Sequence, residues 1–114
     1  MGSHFVNRVL FVAYAILIAL VSLMPMNSTN IGSSDKLFHF VFYAVFSVLG
    51  FRAATESKQY LYVCIGIVAY GGMMEVAQSF MPGRMMSAYD FLANTLGVII
   101  GAVVVRKVFL AKIL

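Results

Sequence analysis

Residues 9–26, VLFVAYAILIALVSLMPM, decide the fold of this chain. The segment contains no charged side chain and is long enough to cross a hydrocarbon core, which needs about 20 apolar residues. Arg8 precedes it and no small-residue cleavage pattern follows it, so we expect a retained membrane helix and not a cleaved signal peptide. Pro25 and the polar stretch 27–34 then end the helix in a loop.

Three further hydrophobic segments follow at short intervals. They run from about residue 35 to 51, from 60 to 80 and from 88 to 105. The connections 52–59 and 81–87 are short, which favours antiparallel neighbours in an up-down bundle. The sequence therefore predicts an all-α membrane protein with four transmembrane helices.

The composition indicates the same class. The 114 residues are 62% hydrophobic and 11% charged, with a mean hydropathy of +0.96, whereas a soluble domain carries roughly 25% charged residues. Residues 1–4 resemble a vector remnant, and we assign residues 5–114 to a single transmembrane domain. The basic residues lie beside hydrophobic segments, so no nucleic-acid partner is expected. The single Cys64 excludes an intrachain disulfide and a cysteine-bound zinc.

The distribution of basic residues predicts the orientation. Lysine and arginine concentrate on one side of the predicted bundle, at Arg8, Arg52, Lys58, Arg106, Lys107 and Lys112. Lys36 and Arg84 fall on the other side. The positive-inside rule then predicts cytoplasmic termini and an extracytoplasmic position for the side of Lys36 and Arg84.

Polar side chains gather on that second side, at the ends of the hydrophobic segments. A charge at membrane depth costs about 2.5 kcal/mol or more, so such groups usually face a partner or a water-filled cavity. Glu75 lies more than a turn inside the third segment, with Gln78 on nearly the same face. Asp35 and His39 project from one helix face, although a first-turn acid and an interfacial imidazole would also explain them.

The fourth segment carries a stripe of Asp90, Asn94, Gly97 and Gly101 along one side. Ser87 and Asp90 match a capping box, which is a sufficient structural reason for Asp90 alone. The two glycines have the spacing that lets membrane helices approach closely. This packing would point Asp90 and Asn94 into the bundle.

The loop before this segment contains Pro82-Gly83, which suits a type II turn. Its apolar neighbours favour a position on the membrane surface or folded inward, which would hold Arg84 over the polar residues. The alternative is an interfacial anchor, with Arg84 reaching to lipid headgroups. We expect Glu75, Arg84 and Asp90 to form one coupled charge cluster.

The order and spacing of these residues resemble the VanZ-like family, named for a protein associated with teicoplanin resistance. The motifs are Asp35-Lys36-x-x-His39-Phe40-x-x-Tyr43, Glu75-x-x-Gln78-x-Phe80-x-Pro82-Gly83-Arg84 and Ser87-x-x-Asp90-x-x-x-Asn94-x-x-Gly97. The likeness covers about residues 35–101, and the first segment matches only as a generic span. It implies a small multi-pass protein of the bacterial cytoplasmic (inner) membrane. The candidate site residues that it carries over are Asp35, Lys36, His39, Glu75, Gln78, Arg84, Asp90 and Asn94.

The first functional hypothesis is an envelope protein whose outer polar pocket binds or modulates a lipid-linked or cell-wall precursor, with a link to glycopeptide (teicoplanin) resistance. Its partner would be a membrane lipid or a lipid-linked precursor. Lys36 and Arg84 would meet phosphate or carboxylate, and Gln78 and Asn94 would supply neutral hydrogen bonds. Aromatic walls would come from Phe40, Tyr43 and Phe80.

The alternative is a membrane enzyme that acts on an outer-leaflet lipid-linked substrate by acid/base or metal-assisted chemistry. The candidate catalytic residues are His39, Asp35, Glu75 and Asp90. No cofactor is predicted, although three carboxylates and one imidazole could hold a divalent metal. A proton-coupled carrier built on Glu75 and Asp90 would ordinarily need more helices or internal repeats, and the sequence has no repeat.

Overall fold

The computed structural model describes residues 2–24, 33–81 and 88–113, with side chains described at 4–24, 36–81 and 88–108. Within these residues the chain forms four α-helices, α1 (Gly2–Ser22), α2 (Ser33–Ala53), α3 (Ser57–Gln78) and α4 (Ala88–Ile113). Each helix is long and apolar enough to cross a membrane. The predicted all-α bundle of four transmembrane helices is confirmed.

All four helices extend beyond the predicted segments at one or both ends, because a charged residue ends the apolar stretch without ending the helix. α4 continues past Arg106 and Lys107 to Ile113, since both residues are good helix formers. α3 begins at Ser57 instead of residue 60. Gln59 holds the turn before α3 because its Oε1 accepts hydrogen bonds from the Thr55 backbone N (2.6 Å) and hydroxyl (3.1 Å).

Helices α2 and α4 form the closest pair, and they run parallel because Gly97 meets Phe40 while Gly101, further along α4, meets Ala44 and Ser47. A Cβ built on Gly101 would lie 2.6 Å from the Ala44 carbonyl oxygen, and one built on Gly97 would collide with the Phe40 carbonyl oxygen. No side chain therefore separates the two backbones at these positions. Gly97 and Gly101, which were predicted to bring α4 close to a neighbouring helix, face α2.

The other two helices pack antiparallel to α2. In α1, the Asn7 side-chain amide donates to the Arg52 carbonyl (3.2 Å) near one end. Further along, the Tyr14 hydroxyl donates to the Phe42 carbonyl (2.8 Å). In α3, the Tyr60 hydroxyl and the Ser47 hydroxyl hydrogen-bond at 2.8 Å.

Phe46 of α2 is the centre of the aromatic core. Its ring centroid lies 5.0 Å from that of Phe11, 5.5 Å from Tyr14, 5.8 Å from Tyr43 and 5.7 Å from Tyr70. Tilted and edge-to-face pairs at these distances are favourable beyond the area that they bury. The core therefore joins α1, α2 and α3 in the middle of the bundle, and leaves the polar residues of α2, α3 and α4 to meet at one end.

Candidate functional site

Polar residues from three helices meet where α2 and α4 begin and α3 ends. His39 comes from α2, Glu75 and Gln78 come from α3, and Asp90 and Asn94 come from α4. The exposed fractions are 3% for Glu75, 2% for Gln78, 6% for Asp90 and 1% for Asn94. Because they are far apart in sequence and buried together, helix packing and not local structure assembles this polar cluster.

The His39 ring is the centre of the polar cluster. Its Nδ1 lies 2.7 Å from the Asn94 Oδ1 and 3.8 Å from the Glu75 Oε2. Its Nε2 lies 3.8 Å from the Asp90 Oδ2. With the carboxamide oxygen of Asn94 facing the ring, the short contact requires a proton on Nδ1, which is then the donor.

Lys36 marks the outer edge of the polar cluster. Its Nζ lies 3.5 Å from the Asp90 Oδ1, and its side chain is 46% exposed while that of Asp90 is 8% exposed. The ammonium therefore contacts one oxygen of the carboxylate, and the other oxygen faces the imidazole of His39. An ion pair with one exposed partner is worth about 1 kcal/mol or less, so Lys36 is not what holds the polar cluster together.

Two glycines let the polar cluster form. A Cβ on Gly71 would lie 3.1 Å from the Tyr43 ring and 3.2 Å from the Asn94 Nδ2. Gly97, one turn after Asn94, brings α4 against the α2 backbone. Without a side chain at either position, the amide of Asn94 reaches the His39 ring.

A cavity of about 330 Å³ adjoins the polar cluster between α1 and α2. Its lining residues are Tyr14, Leu17, Ile18, Val21, Ser22, Phe38, His39, Phe42, Tyr43 and Gln78. Most of this wall is aliphatic or aromatic, and the lining residues with polar groups are Tyr14, Ser22, His39, Tyr43 and Gln78. The Tyr43 side chain is 3% exposed, and its hydroxyl has no hydrogen-bond partner among the described residues.

Some predicted features fall outside what the structure describes. The Pro82-Gly83 turn, Arg84 and the Ser87 half of the capping box lie outside the described residues. Asp35 is in the first turn of α2, but its side chain lies outside the described part of the chain. The predicted cluster with Arg84, and any role of Asp35, therefore stay predictions.

Of the three predicted aromatic walls, Tyr43 is a cavity-lining residue. Phe80 is instead 77% exposed, and Phe40 meets α4 through its backbone carbonyl. Sequence reasoning missed the contribution of α1, because Leu17 and Ile18 lie in a uniformly apolar stretch. No spacing in that stretch separates a cavity wall from a lipid-facing surface.

Four apolar helices that bury a polar cluster at one end define a small multi-pass membrane protein. A family model described as VanZ/LLP1 matches residues 4–111. The chain therefore belongs to the VanZ/LLP1 family, and the VanZ-like likeness predicted from its motifs is confirmed. The match also includes α1, which the motifs did not distinguish. Neither a curated protein nor a solved structure matches the chain.

Proposed function

We propose that this VanZ-family protein binds a lipid-linked envelope precursor. The headgroup would meet the polar cluster, and the first part of the hydrocarbon chain would occupy the cavity between α1 and α2. The site would lie on the extracytoplasmic side of a bacterial cytoplasmic membrane. Binding would change the exposure of the precursor, which is how such a protein could contribute to glycopeptide (teicoplanin) resistance.

The Tyr43 hydroxyl is the observation that supports this proposal most directly. It is buried and has no hydrogen-bond partner among the described residues. A buried polar group left unsatisfied costs about 1–3 kcal/mol. Because Tyr43 lines the cavity, an acceptor oxygen of a bound headgroup would remove this cost.

The cavity has the character that an amphiphile needs. Leu17, Ile18 and Val21 of α1 face Phe38 and Phe42 of α2, and these side chains suit a hydrocarbon chain. Small-molecule pockets have volumes of about 300–1,000 Å³, so a cavity of about 330 Å³ is at the small end of that range. It would hold a headgroup and the start of a chain, and the rest of a long chain would extend into the membrane.

The charge distribution supports the proposed orientation. The Arg8 guanidinium donates to the Ala53 carbonyl (3.1 Å), so the start of α1 and the end of α2 lie at one end of the bundle. Arg52 and Arg106 belong to the same end, opposite to His39 and Asp90. Basic residues favour the cytoplasmic side, which supports an extracytoplasmic position for the polar cluster.

The test is retention of a long-chain polyprenyl phosphate by purified protein in detergent, measured by native mass spectrometry. Tyr43→Phe should weaken binding about tenfold to a hundredfold, because a hydrogen bond to a charged group is worth about 1.5–3 kcal/mol. Tyr62→Phe is the matched control, since Tyr62 is 60% exposed and outside the cavity wall. Equal retention by both variants and wild type, or equal retention of phosphatidylglycerol, would contradict the proposal.

A membrane enzyme acting on an outer-leaflet lipid-linked substrate is the second candidate. The observation that favours it is the position of His39, whose two ring nitrogens lie 3.8 Å from the carboxylates of Glu75 and Asp90. An imidazole held between carboxylates can transfer protons. Conversion of a polyprenyl diphosphate by wild type but not by His39→Gln would establish the enzyme. Unchanged lipid after prolonged incubation would leave binding as the function.

A further inference from the structure

We propose that His39, Glu75 and Asp90 bind a divalent transition-metal ion, Zn²⁺ or Mn²⁺, with Asn94 orienting the imidazole. This goes beyond the proposed function, because the ion would bind with or without a lipid. The three donors come from α2, α3 and α4, so an ion there would also join three helices at one point.

The donor set fits such an ion. One donor atom from each of His39, Glu75 and Asp90 lies within 4.8 Å of the other two. Donors at about 2.0–2.2 Å from a tetrahedral ion are roughly 3.4 Å apart. The 3.8 Å between the His39 Nε2 and the Asp90 Oδ2 is close to that separation. Imidazole suits zinc and carboxylates suit manganese, which is why we name these two ions.

The hydrogen bond from His39 to Asn94 is the independent observation. A histidine that binds a metal almost always donates its other ring N–H to an oxygen acceptor, which fixes the tautomer and the ring orientation. Here Nδ1 donates to the Asn94 Oδ1 at 2.7 Å. Asn94 is 1% exposed, so this acceptor is held inside the protein. The remaining nitrogen, Nε2, is therefore the one presented to an ion.

The surroundings of Nε2 also favour a cation. A neutral imidazole that donates through Nδ1 has a lone pair on Nε2. That lone pair faces the Asp90 Oδ2 at 3.8 Å, so an ion bound to Nε2 would lie beside a carboxylate oxygen. Lys36 approaches the other oxygen of this carboxylate, Oδ1, at 3.5 Å.

Glu75 would be the third ligand. Its Oε2 lies 3.8 Å from the His39 Nδ1, so binding through Nε2 requires this carboxylate to rotate toward the ion. Three protein ligands leave a fourth position for water or for an oxygen of a substrate, as in catalytic zinc sites. This open position would be near the cavity, because His39 lines it.

Titration of metal-free protein with Co²⁺, followed by Zn²⁺ as a competitor, tests the site. We expect one Co²⁺ per chain, displaced by Zn²⁺, and loss of binding in His39→Gln. Asn94→Ala keeps all three ligands and should weaken binding about tenfold to a hundredfold. Glu75→Gln should also weaken it, whereas the matched controls His4→Gln and Glu56→Gln should bind as wild type does, because both residues are exposed.

Absence of saturable binding, or binding by His39→Gln equal to that of wild type, would overturn the proposal. If His39→Gln does not fold, nitrogen NMR of the two histidine rings in the wild-type protein decides instead. Zn²⁺ should shift the Nε2 resonance of His39 and leave His4 unchanged. A spectrum in which His39 does not respond to Zn²⁺ would equally overturn it.

Discussion

Gly97→Ala should separate the closest helix pair of the bundle. The added Cβ would collide with the Phe40 carbonyl oxygen and lie 3.0 Å from the Ala44 backbone nitrogen. Both contacts are with backbone atoms of α2, which cannot rotate away as a side chain can. We therefore expect α4 to move outward, and Asn94, one turn earlier, to lose its 2.7 Å hydrogen bond with His39.

The expected loss of stability is about 1–2 kcal/mol. Inserting an extra methyl group into a packed interface costs about 1–3 kcal/mol, and a collision with backbone places Gly97→Ala near the top of that range. Alanine is a better helix former than glycine by about 1 kcal/mol, which offsets part of the cost. The steric clash lowers the free energy of unfolding, whereas the higher helix propensity of alanine raises it. A control variant in which only the helix propensity changes is therefore needed.

Gly66→Ala is that control, because a Cβ at Gly66 meets nothing within 4 Å. It should stabilise α3 by up to about 1 kcal/mol through helix propensity alone. The free energy of unfolding of both variants can be measured by SDS titration in mixed micelles, followed by circular dichroism. If the free energy of unfolding of Gly97→Ala equals that of Gly66→Ala, α4 does not contact α2 as closely as described here.

Three further outcomes are expected. In a cysteine-free background, Glu56→Cys should be labelled from the cytoplasm and Phe80→Cys from outside, and the reverse pattern would contradict the proposed orientation. Tyr60→Phe should lower the free energy of unfolding by about 1 kcal/mol, because it removes the 2.8 Å hydrogen bond to the fully buried Ser47; an unchanged value would exclude this bond. Lys36→Ala should change the free energy by about 1 kcal/mol or less, and a larger loss would show that Lys36 has a structural role.

The helices and most of the polar cluster could be predicted because both follow from membrane energetics. Long apolar helices are stable in hydrocarbon because their backbone hydrogen bonds are satisfied internally. A carboxyl group such as that of Glu75 has a high free-energy cost there unless it is buried with polar partners. Helical spacing then put Asn94 on the same stripe as Gly97 and Gly101. Since glycines mark where a helix meets its neighbour, the stripe predicted that Asn94 faces the interior.

The cavity could not be predicted, because it depends on how α1 leans against α2. Ile18 is 5% exposed and Leu17 is 51% exposed, yet both are ordinary aliphatic residues of the uncharged segment 9–26. Hydropathy therefore cannot tell which of them is buried. Among the described residues the Tyr43 hydroxyl has no hydrogen-bond partner, and this too depends on how the helices pack, not on its motif.

The most direct test of the proposed binding site compares two buried isoleucines, one of which should contact a bound lipid while the other should not. Ile18 lines the cavity and is 5% exposed, whereas Ile67 is 2% exposed and lies in the core outside the cavity wall. With methyl-labelled protein in deuterated detergent, a protonated polyprenyl phosphate should give NOEs to the Ile18 δ1 methyl and none to that of Ile67. A lipid that binds without any NOE to Ile18 would show that the cavity between α1 and α2 is not its site.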